Sequence, residues 1–164
     1  MKTVEFKIIS HIRSEHTIQK KTPIQPVFSS QCKGKIELFP EYTDGLQDIE
    51  QFSHIILLYW LHRTQSPVLM VKPFLEDVEH GIFSTRAPRR PNPVGISIVR
   101  LEKRSESVLH ISGVDILDGT PLIDIKPYVK RFDCIDEANS GWIESIEETT
   151  AEIRGKREYD DKTQ

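Results

Sequence analysis

Apolar side chains occur in short segments separated by polar turns along most of this chain. Residues 4–12 alternate with period two, since Val4, Phe6 and Ile8 are apolar and the positions between them are charged. This alternation predicts a strand with one buried face. Residues 54–62 are apolar almost without interruption, which predicts a strand buried on both faces.

Four further segments have the character of strands. They cover residues 34–39, 68–71, 94–101 and 108–114. The last two are joined by the polar residues 102–107, so they predict an antiparallel hairpin. Because the connections are short and no long helices alternate with the strands, the pattern favours a mainly β fold, a small antiparallel barrel, over a parallel sheet flanked by helices.

Two segments lack the strand pattern. Residues 14–33 are polar and contain Pro23 and Pro26, which predicts a long loop, and loops of this length are usually functional or mobile. Residues 46–52 have apolar side chains three positions apart, which is consistent with one or two helical turns.

The C-terminal part of the chain differs from the rest in composition. Residues 142–153 place apolar side chains among glutamates at helical spacing, which predicts a short helix. Residues 155–164 are expected to be frayed. We therefore predict a barrel domain over residues 1–132 and an acidic extension over residues 133–164.

Charge is distributed unevenly along the 164 residues, whose net charge is −3. Residues 1–35 carry seven Lys/Arg against two acids, and residues 133–164 carry four against ten. A local basic face binds phosphates even when the total charge is negative. The net charge therefore does not exclude a nucleic-acid partner.

Neither a membrane span nor a metal site is indicated. The longest apolar run, residues 55–61, is too short to cross a bilayer, and the first residues lack the apolar stretch of a secretory leader. Cys32 and Cys134 lie far apart, as expected for thiols in a reducing cytoplasm rather than for a disulfide framework or a zinc site. The six histidines show no i,i+4 spacing, so we predict no metal and a cytoplasmic location.

One segment combines three arginines with three prolines. Residues 84–95 read STRAPRRPNPVG. Proline fixes φ and restricts the residue before it, so this loop is expected to be stiff. On it, Arg86, Arg89 and Arg90 present a preorganised cationic surface suited to phosphate or carboxylate. The alternative interpretation is a rigid surface turn with solvated arginines.

A second motif follows at residues 115–121, DILDGTP, and continues at residues 124–128 as DIKPY. Asp118-Gly119 is a common turn dipeptide. Because glycine has no Cβ, it also allows the neighbouring backbone amides to approach a ligand closely.

These two motifs, in this order, resemble those of the TsaA-like (TrmO-like) family. The similarity extends upstream through residues 23–26, 34–38 and 51–55, and covers about residues 1–132. The resemblance implies an S-adenosylmethionine-dependent tRNA methyltransferase that acts on N6 of threonylcarbamoyladenosine, the modified adenosine 3′ of the anticodon. It also implies a small antiparallel β-barrel that works as a homodimer.

The resemblance also assigns roles to individual residues. The cofactor contacts that it implies are Pro23, Ile24, Gln25, His62, Arg63, Arg86, Ile96, Asp118, Gly119, Thr120 and Pro121. Arg89 and Arg90 are expected to face tRNA phosphate, although Arg90 has the alternative of pairing internally with Asp115 or Asp118. Many relatives carry histidine where Arg89 stands, so a proton-transfer role is not expected there. Larger relatives continue into a further C-terminal domain thought to help hold tRNA.

The acceptor sets a chemical requirement of its own. The lone pair of adenine N6 is delocalised into the ring, and a carbamoyl group on it makes the N–H more acidic, so a carboxylate or a neutral histidine is suited to take that proton. The candidates are Asp118, Asp124, His62 and Tyr128, and catalysis by proximity without a base stays open. Two other functions also stay open: a non-catalytic barrel that binds S-adenosylmethionine or RNA, and a methyltransferase of this fold with a small-molecule acceptor.

Overall fold

Six strands close into an antiparallel barrel in the computed structural model, which describes residues 2–157. The strands of the described chain are β1 (Ser10–Ser14), β2 (Lys33–Leu38), β3 (His54–Trp60), β4 (Met70–Val71), β5 (His80–Gly81), β6 (Val94–Ser105), β7 (Val108–Ser112) and β8 (Thr120–Pro127). The order around the barrel is β1-β2-β7-β6-β3-β8, and β4 pairs with β5 in a separate two-stranded sheet. The predicted barrel is confirmed.

The barrel interior is filled by every second side chain of its strands, because successive residues of a strand point to opposite faces. In β6, for example, Val99 and Leu101 are buried, whereas Ile98 between Ser97 and Val99 is 42% exposed. The fully buried apolar side chains of this core include Ile12, Ile36, Ile55, Leu57, Leu109, Ile111, Val114 and Leu122.

Helical structure is short and mostly of the 3-10 type. Two α-helices lie in the C-terminal part, α1 (Lys130–Asp133) and α2 (Glu148–Lys156), so the predicted C-terminal helix is confirmed. The 3-10 turns span Gln19–Lys21, Pro26–Phe28, Pro40–Leu46, Ile49–Gln51, Ile82–Ser84 and Gly141–Ser145. The frayed end was predicted from residue 155, but α2 reaches Lys156; residues 158–164 lie outside the described residues. No helix within residues 2–157 is long and apolar enough to cross a membrane.

Three details of the predicted strands are wrong. Residues 4–9 are not a strand, since pairing begins at Ser10 opposite Leu38, the last residue of β2, and Val4 is 77% exposed. The segment 68–71 has only the two strand residues of β4. β3 is buried on its inner face alone; Trp60, on its outer face, is 45% exposed.

One end of the barrel gathers most of the long connections. β1, β3 and β7 end there, and β2, β6 and β8 begin there. The connections 15–32, 61–93 and 113–119 therefore meet at this end, which we call the loop end. These connections contain most of the residues that the sequence predicts for the site.

Candidate functional site

The clearest pairing at the loop end joins the two predicted ligand-binding loops. Arg86 Nη1 donates a hydrogen bond of 2.6 Å to Gln25 Oε1, across 61 positions of sequence. Gln25 also donates from Nε2 to its neighbour's carbonyl, Ile24 O, at 2.7 Å. Thus the amide of Gln25 and the exposed guanidinium of Arg86 are held together before any ligand binds.

A cavity of about 280 Å³ adjoins this pair. Its wall combines apolar and polar groups, which suits a ligand with an aromatic base and charged ends. The lining residues are Gln25, Pro26, Val27, Arg86, Ile96, Ser97 and Ile98. Gln25, Arg86 and Ile96 from the predicted cofactor set are therefore brought together around one cavity.

The predicted turn at Asp118-Gly119 is present. Gly119 has φ +77°, a left-handed conformation that favours glycine, and its amide donates to Ile12 O at 2.8 Å. The Asp118 carboxylate accepts from the Ser14 amide at 3.0 Å and lies 3.3 Å from Arg13 Nη2. Both interactions attach the turn to β1.

The rest of this motif lies inside the barrel wall. Thr120 is 3% exposed, and its hydroxyl donates to Leu117 O at 2.7 Å. Pro121 is also buried, as is Pro23 on the first loop. Buried side chains of this kind shape a site through their backbone more than through side-chain contact with a ligand.

His62 follows β3 at the loop end and is half-buried, whereas Arg63 is exposed. Burial lowers the pKa of His62 below its ordinary value, and the charge of Arg63 acts in the same direction. The imidazole is therefore mainly neutral near pH 7 and has a lone pair that can accept a proton.

The structure does not bring Tyr128 to this end. The Tyr128 amide donates to His54 O at the start of β3, and β8 separates it from the Asp118 turn by about 25 Å of extended chain. Asp124 lies within β8, where its carboxylate is 2.7 Å from Lys126 Nζ. Of the four candidate bases, His62 and Asp118 lie at the loop end.

The three arginines of the proline loop differ in what they contact. Arg90 Nη1 donates to the carbonyls of Ile82 at 3.0 Å and Thr85 at 2.7 Å, so the expected internal partner is backbone rather than Asp115 or Asp118. Arg89 Nε donates to Ser66 O at 3.0 Å. RNA contact by Arg89 and Arg90 stays a prediction.

Sequence reasoning missed a buried hydrogen-bonded chain of three side chains inside the barrel. Ser97 Oγ donates to Asp115 Oδ1 at 2.6 Å. Its one proton is used there, so the Tyr59 hydroxyl donates to Ser97 Oγ at 2.9 Å. All three residues are at most 8% exposed. The signal in the sequence was a carboxylate flanked by apolar residues.

Burial dominates the electrostatics of this chain of side chains. It raises the pKa of the Asp115 carboxyl to about 7, although the Ser97 hydroxyl and the charge of Arg86 favour the ion. Burial and the nearby Asp115 also raise the pKa of Tyr59, which stays a neutral donor. Arg86 thus links this buried group electrostatically to the cavity.

The C-terminal extension packs against both loops of the cavity. Gly155 O in α2 accepts from the Ile24 amide at 3.0 Å, and a Cβ added at Gly155 would lie 2.5 Å from the Phe28 ring. Trp142 Nε1 donates to Ser84 O at 2.8 Å, two residues before Arg86. Division of the chain at residue 132 stays a prediction, but residues 141–157 support the walls of the candidate site.

One group of possible metal ligands occurs among residues 2–157. One ligand atom from each of Glu15, His16 and Cys32 lies within 4.8 Å of the others. His16 Nε2 donates to Val114 O at 2.7 Å, because a carbonyl has no proton to give. The sequence did not reveal this group, since its spacing matches no ligand motif. Metal-independent binding stays a prediction.

Comparison with known proteins places this geometry in context. Residues 11–134 match the model of the tRNA-methyltransferase O N-terminal domain. A probable S-adenosyl-L-methionine-binding protein of Pyrococcus abyssi is 50% identical over 139 residues, which are 85% of this chain and 76% of that protein. The rat tRNA (adenine(37)-N6)-methyltransferase is 34% identical over 132 residues, 76% of this chain and 31% of that protein.

Solved structures of TrmO are also similar to this chain in fold and in sequence. The crystal structure of TrmO from Pseudomonas aeruginosa superposes with a TM-score of 0.72 at 36% identity, covering 86% of this chain and 63% of that one. A second crystal structure of TrmO gives a TM-score of 0.74 at 39% identity. The chain spans less than two thirds of the length of these solved relatives.

Proposed function

The chain belongs to the tRNA-methyltransferase O family, and on this premise we propose that it is an S-adenosylmethionine-dependent tRNA methyltransferase. We propose further that the acceptor is N6 of threonylcarbamoyladenosine, 3′ of the anticodon. The observation that carries the proposal is the cavity at the loop end, where Gln25 and Arg86 are already hydrogen-bonded to each other.

The residues around the cavity fit S-adenosylmethionine. That group supplies an activated methyl on a sulfonium, together with an adenine, a carboxylate and an ammonium. Ile96 and Ile98 offer apolar surface to the adenine, and the Arg86 guanidinium offers two parallel donors to the carboxylate. The backbone at Gly119 is open to close approach, since a Cβ there would meet nothing nearer than Arg13 Nη1 at 4.0 Å.

Of the candidate bases, His62 has the properties that the acceptor requires. It lies at the loop end, and burial keeps it mainly neutral. The Asp118 carboxylate already accepts from Ser14 and pairs with Arg13, so it is better suited to holding the turn.

His62→Gln should therefore lower kcat by about 10²-fold or more while changing KM little. A raised KM with unchanged kcat would instead indicate a binding role.

The protein is proposed to act as a homodimer through the outer face of β3 and β6. Cross-strand pairs on this face are Ile56 with Ile98, Leu58 with Ile96, and Trp60 with Val94. Trp60, Val94, Ile96 and Ile98 are 39–45% exposed, which makes a contiguous apolar patch typical of an interface. Ile96 and Ile98 also line the cavity, and its 280 Å³ is at the lower limit for a ligand of this size, so a second copy on this face would add a wall.

Ile98→Asp tests this arrangement. The variant should be monomeric by light scattering and should bind the cofactor more weakly, whereas Val4→Asp, at another exposed aliphatic position, should change neither property. A wild-type protein that is monomeric and fully active would contradict the proposed dimer.

The test of function is incubation of the protein with S-adenosylmethionine and tRNA carrying threonylcarbamoyladenosine, followed by mass spectrometry of the nucleosides. We expect a methylated threonylcarbamoyladenosine, and no product on tRNA that lacks the threonylcarbamoyl group.

Arg86→Gln should weaken cofactor binding by about 1.5–3 kcal/mol, and Arg89→Gln on the same loop should not.

The competing functions give different results in the same assay. Cofactor binding without transfer to any tRNA would indicate a non-catalytic barrel. Turnover with small molecules but not with tRNA would indicate the same chemistry on another acceptor. Calorimetry with and without a chelator tests whether cofactor binding needs a metal, with Glu15, His16 and Cys32 as the residues to examine if it does.

A further inference from the structure

A row of basic side chains crosses the outer surface of four neighbouring strands. The register places Arg13 of β1 opposite Lys35 of β2, Lys35 opposite His110 of β7, and His110 opposite Lys103 of β6. All four side chains are exposed. Because neighbouring strands lie about 4.8 Å apart, this basic row is about 15 Å long.

The arrangement is unfavourable for the stability of the sheet. Like charges directly opposite each other destabilise a β-ladder, and Arg13 faces Lys35 across the strand pair. In the described part of the chain, 2–157, no ion pair involves Lys35 or Lys103. The ion pair of Arg13 with Asp118 offsets part of this repulsion, but Lys35 and Lys103 have no such partner among the described residues. A local rule of stability that is broken in this way is typical of a binding surface.

The surroundings of the basic row strengthen its positive potential. Lys33 is exposed two residues before Lys35 on the same face of β2. Of the acids nearby, Asp118 pairs with Arg13, Glu102 accepts from Ser112 and pairs with Arg100, and Glu37 is exposed two residues after Lys35 on the same face of β2.

The basic row also begins at the candidate site. Arg13 pairs with Asp118 of the cofactor turn at 3.3 Å, and the row runs from there around the barrel wall. Its β1 and β2 members lie across the barrel from the apolar face of β3 and β6, and Lys103 lies near the end of β6 that is farthest from Ile96 and Ile98, so the row stays exposed in the proposed dimer. A ligand that reaches both the cavity and the row must be an extended polyanion.

We infer that the basic row binds the phosphate backbone of the RNA substrate outside the anticodon loop. This rests on the proposed function, since the RNA that enters the site must continue along one wall of the barrel. No large apolar side chain is interleaved with the row, whereas surfaces that bind membranes combine basic groups with inserted apolar ones. Contacts to phosphate hold the register of the RNA without reading its sequence.

The experiment measures tRNA binding by the full chain as a function of salt. Lys35→Gln and Lys103→Gln should each lower the slope of log Kd against log salt concentration by about one, and the double variant by about two. Lys130→Gln is the matched control, because Lys130 is exposed beyond the other end of the barrel. Cofactor affinity should be the same in all these variants, which shows that each one is folded.

The outcomes separate this inference from the proposed function. Binding of tRNA with the wild-type slope in the double variant would overturn the inference and leave the function intact. If the double variant has the lower slope but the wild-type protein transfers no methyl group to tRNA, the inference about the basic row is supported and the proposed function is overturned. If binding to vesicles of anionic lipid depended on Lys35 and Lys103 as strongly as binding to tRNA does, the assignment to RNA would be overturned. Failure of the wild-type protein to bind tRNA would overturn it as well.

Discussion

The barrel has two opposite outer faces of contrasting chemistry. On β3 and β6 the outer face is apolar, and Ile96 and Ile98 there are 45% and 42% exposed. On β1, β2 and β7 the outer face carries the basic row, which ends at Lys103 near the last residues of β6. In the closed strand order, the β1 and β2 part of the row lies across the barrel from β3 and β6.

Inside the barrel the contrast is reversed, because the wall with the basic outer face has the more apolar inner side. Beneath the basic row the interior is aliphatic at its centre, with Ile36, Leu109 and Ile111 at most 1% exposed. Beneath the apolar face lie Tyr59 and Ser97, which join Asp115 in the buried hydrogen-bonded chain.

The difference indicates which wall tolerates change. Aliphatic packing stabilises the wall under the basic row whatever its surface carries, so that surface is open to a binding role. The wall under the apolar face depends on a buried ring, a hydroxyl and a carboxyl in one geometry, so it should respond more strongly to substitution and to pH.

Among the substitutions that test this difference between the two walls, Gly95→Ala should have the largest effect on the free energy of unfolding. Gly95 lies opposite Tyr59 in the ladder, and an added Cβ would be 2.2 Å from Tyr59 Cε2, so the ring must move. We expect the free energy of unfolding to fall by about 2–4 kcal/mol, from overpacking and from loss of the hydrogen bond to Ser97. Urea unfolding measures the change.

A double variant makes this test specific. In Tyr59→Leu the ring is absent, so adding Gly95→Ala to it should cost much less than in the wild type, and the coupling should exceed about 1 kcal/mol. Gly45→Ala is the control, since an added Cβ there meets nothing within 4 Å. A Gly95→Ala protein as stable as the wild type would show that the glycine does not position the ring.

Asp115→Asn should have the next largest effect, and it depends on pH. The folded pKa of Asp115 is raised to about 7 from 3.8, so the folded state binds the proton more tightly than the unfolded state. The stability that Asp115 contributes is therefore full below about pH 4 and is lost as the pH rises to about 7. Asp115→Asn should remove this decline.

The measurement is urea unfolding between pH 4.5 and 8. The difference between wild type and Asp115→Asn should change by up to about 3 kcal/mol across the window, an upper figure because the buried carboxyl relaxes. Asp44→Asn, at an exposed position, should keep the wild-type profile. A pH profile that is the same in Asp115→Asn and wild type would mean that another group titrates.

The same contrast explains how far the sequence could predict the structure. The barrel followed from short strand patterns and turns, but an apolar run such as residues 54–62 looks the same whether its second face meets its own chain or a partner. The alternation predicted a strand from Val4, but β1 begins only at Ser10, because β2 ends at Leu38 and the chain turns at Pro40 after one more hydrogen bond, from the Phe39 amide to Ile9 O. Pairing partners are set by the whole chain and cannot be read from one segment.

In the region of the candidate site, the sequence predicted local turn geometry but not the contacts that depend on strand register. The left-handed Gly119 was visible as a turn dipeptide. The need for glycine at position 95 was not visible in the sequence, because it depends on Tyr59 lying opposite Gly95 in the ladder. Tyr128 is near the second motif in sequence, yet the length of β8 carries it to the far end of the barrel.

Lys35→Glu should give the smallest effect, and its sign is the test. The substitution replaces like-charge repulsion across the ladder with attraction to Arg13, so the free energy of unfolding should rise by about 0.5 kcal/mol at low salt and less at high salt. Binding of tRNA should weaken in the same protein. Lys130→Glu, with the same change in net charge, should do neither. A Lys35→Glu protein that is less stable than wild type would mean that the lysine supports the sheet and would remove the physical ground for assigning it to a ligand.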